Sequence, residues 1–139
     1  MAKPSAEDRF EIADLFNSYA AALDAGDVDG VVACFTEDGW LDSPIVGRHQ
    51  GSEGLRVFAE KTAQAVRRGV RFRHVVTNLR IEVDGSQAKA RCYLLDLVTI
   101  DGKSELLSPG EYECDLVRTD SGWLFQSRLV HMDRVFAIP

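Results

Sequence analysis

Tyr19, Asp24, His74 and Arg128 are the side chains in this sequence whose types and positions fit acid–base chemistry on a small molecule. An aspartate bonded to one imidazole nitrogen fixes the tautomer and supports the imidazolium. The other nitrogen is then free to take a proton near neutral pH. A tyrosine hydroxyl can donate to a leaving group or an enolate oxygen, and an arginine can hold an anionic or carbonyl part of a substrate. These four form the candidate catalytic set. Around them, Phe16, Phe72 and Trp123 are expected to wall a pocket. Asp96, in phase with Leu94 and Val98, is an inward acid, and His131, in phase with Trp123 and Phe125, is a further substrate-binding candidate. His49, in the run GRHQG, reads as solvated. A core tyrosine, a helix-end aspartate and a satisfied interior histidine would leave the same pattern, so a structural role stays open for each.

The elements that must position these groups are legible from periodicity. Ser5, with Asp8 three residues on, opens a helix. Ile12, Leu15, Phe16, Tyr19 and Leu23 then form one helical stripe, and Gly26 supplies a left-handed stop. Asp24 lies about 140° around the wheel from Tyr19, at the rim of that stripe with Ala13 and Ala20. Asp27 caps a second, short helix through Val31, Val32 and Phe35. A turn over Thr36–Gly39 leads to a short strand at Trp40 and Leu41. A third helix from about Ser52 carries Leu55, Phe58, Thr62 and Val66 on one face.

From Val70 onward the pattern is strand and turn. Phe72, His74 and Val76 share one parity, and Leu79, Ile81 and Val83 share the other, which requires a bulge or bend near Thr77 and Asn78. Asp84-Gly85, Asp101-Gly102 and Asp120-Ser121-Gly122 mark turns between long strands near 87–100, 105–118 and 123–136. Strands of that length imply strong curvature. Arg128 has the opposite parity to Trp123 and Phe125, so strict alternation points it away from the pocket unless a bulge intervenes. Helices first and strands after give an α+β domain over 1–139, a curved antiparallel sheet with three N-terminal helices around a cone-shaped pocket.

Composition narrows the partners. The chain has 139 residues, 16 basic and 22 acidic side chains and a net charge of −6. That balance argues against a general nucleic-acid binder, even with the cluster Arg67, Arg68, Arg71 and Arg73. Apolar runs are too short to span a bilayer, and the N-terminus reaches Lys3, Glu7 and Asp8 at once, so a cytoplasmic location without a membrane partner is the expectation. Cys34, Cys92 and Cys114 are odd in number and lack zinc spacing, so they read as buried apolar residues, with no metal expected. Tyr93, Leu95 and Leu97 share a face too apolar for water, which implies a homo-oligomer, dimer or trimer.

The run YAAALDAGDVDGVVACFTEDGWLDSPIVGRHQG (19–51), the run RHVVTNLRI (73–81) with its following DG turn, and the final GWLFQSR (122–128) together resemble SnoaL-like, nuclear transport factor 2-like domains. The resemblance spans nearly the whole chain. It is specific for fold and weak for reaction, since this fold hosts dehydratases, isomerases, cyclases, epoxide hydrolases and non-catalytic subunits. In the dehydratases and dehydrochlorinases that the sequence is similar to, an aspartate of the first helix orients a strand histidine, and Asp24 and His74 match those positions. The steroid isomerases carry their catalytic aspartate just before the proline matched by Pro44. Here Ser43 stands there, with Asp42 one residue off and turned to the opposite face of a strand.

The resulting expectation is a cofactor-independent lyase of dehydratase type on a small hydrophobic molecule such as a polyketide, steroid or terpenoid. His74 is the base, Asp24 its support, and Tyr19 the group that helps the hydroxyl depart. The alternatives are an isomerase or cyclase using Asp96 or Asp42 as base, or a non-catalytic subunit like the small subunit of ring-hydroxylating oxygenases.

Overall fold

A computed structural model describes residues 3–139; Met1 and Ala2, where the charged N-terminus begins, lie outside the described residues. Ser5 accepts the Asp8 N–H at 3.0 Å and opens α1 (Ala6–Ala25), which ends where Gly26 takes a left-handed φ of 72°. Asp27 accepts the Gly30 N–H at 3.0 Å and caps α2 (Val28–Ala33). The chain then forms β1 (Phe35–Ser43), β2 (Gly47–Gln50) and α3 (Gly51–Arg67), followed by β3 (Arg71–Asp84), β4 (Gln87–Ile100), β5 (Lys103–Thr119) and β6 (Gly122–Met132).

The six strands make one sheet in the order β2-β1-β6-β5-β4-β3. Every neighbouring pair is antiparallel except β1 with β6, which run parallel. The curved sheet with three N-terminal helices is the one expected, antiparallel at every seam but that one. A parallel pair needs a long crossover, and everything from β2 to β5 serves as that crossover here.

The sheet curls at its irregularities. The register of β3 against β4 shifts between Thr77 and Arg80, where Asn78 has φ 57°. That is the place where the apolar parity of the sequence changes. Further shifts lie at Asp96/Leu97 and Asp115/Leu116. An extra residue bends its strand and increases twist, so the concave face closes around α1 and α3. Between them sits the main core, which includes Ile12, Phe16, Leu23, Leu55, Ile81, Leu94 and Phe125. Each such aliphatic or aromatic side chain contributes about 1.5–3 kcal/mol by leaving water.

A second, smaller cluster of Ala65, Val70, Phe72, Val98 and Leu107 lies at the open end, and Phe136 and Ile138 pack on it. The apolar pattern carries the last strand to about residue 136; it ends at Met132. The Asp133 N–H donates to Pro109 O at 3.0 Å, after which Arg134 binds Ser108 Oγ through its N–H and Leu107 O through Nη1. These bonds fold the tail across the end of the sheet. On the convex face the row Tyr93, Leu95 and Leu97 remains partly to largely exposed, Tyr93 at 48%.

Candidate active site

Asp24, in the last turn of α1, and His74, on β3, come together from 50 residues apart. The His74 Nδ1–H donates to Asp24 Oδ1 at 2.6 Å, and the His74 backbone N–H donates to Oδ2 at 3.1 Å. One carboxylate thus fixes both the strand and the ring. Oriented this way, the neutral imidazole keeps its lone pair on Nε2. The bond is deeply shielded, with His74 9% and Asp24 16% exposed at the side chain. A helix C-terminus is an unfavourable place for an anion, so Asp24 depends on these two donors.

Nε2 lies 3.6 Å from Asp96 Oδ1, on the neighbouring β4, where His74 and Asp96 are register partners. Asp96 is 8% exposed, and its Oδ1 finds no hydrogen-bond partner among the described residues. Burial pushes the Asp96 carboxyl above the usual carboxylate range and Asp24 adds to the rise, while His74 opposes it.

Both groups open on a cavity whose empty space, mouth included, is about 540 Å³. Its polar lining is His74, Asp96, Tyr19, Tyr112, Ser43 and Thr62; Leu94, Phe58, Phe72, Val130 and other apolar side chains form the remainder. Among the described residues no lysine or arginine lines it. Phe136 and Ile138 of the tail close one side. The Tyr19 and Tyr112 rings meet edge to face, 6.2 Å apart. Burial raises both phenols well above their ordinary value, which keeps them as hydrogen-bond donors.

Arg128 turns inward, yet it does not line the cavity. Gln126 is an extra residue in β6 where the register against β5 shifts, so parity reverses after Phe125. The guanidinium is fully buried behind the cavity wall, 3.5 Å from the Tyr112 ring centre and 4.1 Å from that of Tyr19, with Phe125 and Phe16 also around it. None of its nitrogens is hydrogen bonded within the described residues. Contact with these ring faces offsets part of its desolvation. The expected hold on a substrate carbonyl is therefore corrected: Arg128 touches the two tyrosines instead.

The same bulge moves His131 outward, where its Nε2 sits 3.0 Å from Glu113 Oε1 and is half exposed, so it is not a pocket residue. Trp123 is buried at the other end of α1, donating its Nε1–H to Asp8 Oδ1 at 3.1 Å, and does not wall the cavity. Phe16 packs edge-on to Phe125 at 5.2 Å, in the core rather than at the cavity. Asp42 lies on the opposite face of β1 from Leu41 and Ser43, which do line it, so Asp42 is not placed to act as a base there. His49, read as solvated, is partly buried, with Nε2 3.0 Å from Val46 O.

Sequence reasoning missed Tyr112, Phe136 and Ile138. Tyr112 shares parity with Cys114 and Leu116 on β5, a signal that was available. Burial lifts the Cys34 thiol to about 11 and that of Cys114 to about 12, and raises Cys92. Unreactive interior thiols follow. Among the described residues no group of three or more His, Cys, Asp or Glu is set to hold a metal ion.

Comparison with known proteins gives this architecture a family. A model described as a SnoaL-like domain matches residues 4–129. The chain belongs to the SnoaL-like family. Among solved structures, a single-residue variant of Rv3472 from Mycobacterium tuberculosis, a protein of unknown function, superposes with a TM-score of 0.84 at 30% identity, covering 94% of this chain and 79% of that one. An NTF2-like protein with a cystatin-like fold from Novosphingobium aromaticivorans gives 0.82 at 23% identity over 91% and 82% of the two chains. A protein of the same organism provisionally named a scytalone dehydratase gives 0.79 at 19% identity over 92% and 85%. At such identities the last two show the fold alone. No helix among the described residues is long and apolar enough to cross a membrane.

Proposed function

We propose that this SnoaL-like protein is a lyase of dehydratase type, removing water from a neutral, largely apolar hydroxy ketone. The observation that carries the reading is the 2.6 Å bond from His74 Nδ1–H to Asp24, with Nε2 facing an apolar cavity. Nε2 takes the proton from the carbon beside the ketone, and Asp24 stabilises the imidazolium that forms. The Tyr19 hydroxyl, with Tyr112 beside it, donates to the oxygen on which enolate charge develops. The hydroxyl then departs from the next carbon. The absence of a lysine or arginine from the described lining favours an uncharged substrate, and the apolar walls favour a hydrophobic one of polyketide, steroid or terpenoid kind.

The test is His74→Ala assayed on a panel of bicyclic β-hydroxy ketones. Turnover is expected to fall on the order of 10²–10⁴-fold, with substrate affinity nearly intact because the apolar walls remain. A stable variant with undiminished turnover rules the mechanism out. The proposal includes self-association through the convex row Tyr93, Leu95 and Leu97, covered by a second copy of the chain. Sedimentation should show a dimer or trimer at micromolar protein; a monomer there overturns that part.

A further inference from the structure

Asp96 has no part in the reaction as written above, yet it is a buried carboxyl on the cavity wall beside the base. It stands across the β3–β4 ladder from His74, on the same face of the sheet. Its Oδ1 is 3.6 Å from His74 Nε2, on the side of the ring away from Asp24. A carboxylate kept only to hold the histidine would duplicate Asp24, which already accepts both of its N–H groups. An unpaired buried polar oxygen is costly unless a ligand or a proton answers it.

We propose that Asp96 is a second catalytic residue, the acid that protonates the departing hydroxyl. This rests on the lyase reading of the site. The cycle closes without any further reactant. His74 Nε2 takes the proton from the carbon beside the ketone, and the electron pair of that C–H bond becomes the new C=C bond. The C–O bond of the hydroxyl breaks, its electron pair staying on oxygen, and the Asp96 carboxyl proton moves to that oxygen, so water leaves. His74 is then an imidazolium and Asp96 a carboxylate. Transfer of the Nε2 proton to Asp96, across a gap that a small carboxyl rotation closes, restores both groups.

Among the groups facing Asp96, His74 opposes the protonated start and Asp24 favours it. Asp24 is a like charge on α1, Tyr19 and Tyr112 are neutral phenols on α1 and β5, and His74 is the partner the cycle requires. Arg128 is kept from it by the tyrosine rings. Burial of the carboxyl acts in the same direction as Asp24. There is also a stereochemical consequence. Base and acid lie side by side on one wall, so the proton and the hydroxyl must leave from the same face of the substrate. An elimination from opposite faces would need the two groups on opposite walls.

The test compares Asp96→Asn with wild type on a bicyclic β-hydroxy ketone and on its β-acetoxy analogue, whose leaving carboxylate needs no proton. Asp96→Asn should lose on the order of 10²–10⁴ in kcat on the hydroxy ketone and stay within a fewfold of wild type on the acetoxy compound. His74→Ala should lose activity on both. Equal loss by Asp96→Asn on the two probes, or no loss on either, overturns the acid role while leaving the His74 base standing. Wild type inactive on both probes overturns the lyase reading and the acid role with it. Independently of turnover, the infrared spectrum of the wild-type protein at pH 7 should contain the C=O stretch of a protonated buried carboxyl, absent from Asp96→Asn; its absence from wild type also overturns the proposal. Deuterium placed on the hydroxyl-bearing face of the ring should be lost to water, and its retention counts against the arrangement.

Discussion

The two ends of α1 carry the same device for two different purposes. Near its start, Asp8 accepts the Trp123 Nε1–H at 3.1 Å and Arg118 Nη2 at 2.6 Å. In its last turn, Asp24 accepts the His74 Nδ1–H and backbone N–H. Each is a helix aspartate hooked to a ring N–H on the sheet, and each anchors the helix over the concave face. The difference is in the ring. Indole has one nitrogen and no lone pair to offer, and Trp123 is packed into the core with Arg118 stacked on it, 4.7 Å from the ring centre. Imidazole has a second nitrogen, and that of His74 opens on a cavity with an acid beside it. A buried Asp–ring bond by itself does not mark an active site; what the far side of the ring meets decides.

Substitutions can separate the two ends. His74→Ala has the largest expected effect, since the rate loss given above corresponds to about 3–5 kcal/mol in the barrier, with a fall in melting temperature besides because Asp24 loses one of its two donors. Asp24→Asn keeps the shape and removes the charge that supports the imidazolium, so kcat should drop about 10²-fold. An unchanged kcat for Asp24→Asn would reduce the Asp24 bond to a structural one, like that of Asp8. Asp8→Asn should leave kcat alone and cost about 1–3 kcal/mol of stability, less whatever solvent screens at the half-exposed Arg118.

The pH dependence of that last variant carries a sign. The Trp123 N–H, and then Arg118, hold the Asp8 carboxyl below its ordinary value of 3.8. The unfolded chain therefore binds the proton more readily. The stabilisation is present above about pH 4 and is lost as pH falls through the native value. Thermal melts of wild type and Asp8→Asn should differ at pH 7 and converge below pH 4. A gap that widens on acidification would refute the assignment.

How much of this is legible in the sequence depends on whether a signal is local. Caps at Ser5, Gly26 and Asp27 involve neighbours within a few residues and are readable as such. The bulge beside Asn78 is readable because apolar residues on both sides of it change parity. The bulge at Gln126 is not. Arg128 and Ser127 interrupt the apolar run just where parity reverses, so a charged residue turned inward looks like an ordinary outward one. The expectation for His131 fails for that reason, whereas Arg128 does turn inward and is kept from the cavity by the Tyr19 and Tyr112 rings. The expectations for Trp123 and Phe16 fail because burial is legible while the split between core and cavity is not. The parallel seam between β1 and β6 depends on pairing across most of the chain, which no short window contains. The fold of the tail, with Phe136 and Ile138 brought to the cavity, follows from the Arg134 backbone N–H meeting Ser108 Oγ and its guanidinium meeting Leu107 O, and Val135, Phe136 and Ile138 read equally well as more strand.

The parallel seam also bears on how the protein is made. Phe35 of β1 pairs with Phe125 of β6, about 90 residues later. A ribosome releases α1, α2, β1 and β2 early, yet β1 has only β2 beside it until the final strand emerges. The hairpins β3–β4 and β4–β5 can zip as they appear, whereas the wall bearing Leu41 and Ser43 must wait. Contacts this distant in sequence slow folding and prolong the exposure of unpaired strand edges. A nascent chain arrested before Gly122 should thus hold His74 and Asp96 in register while lacking the paired β1 wall, and the cavity becomes a binding site only after β6 has emerged.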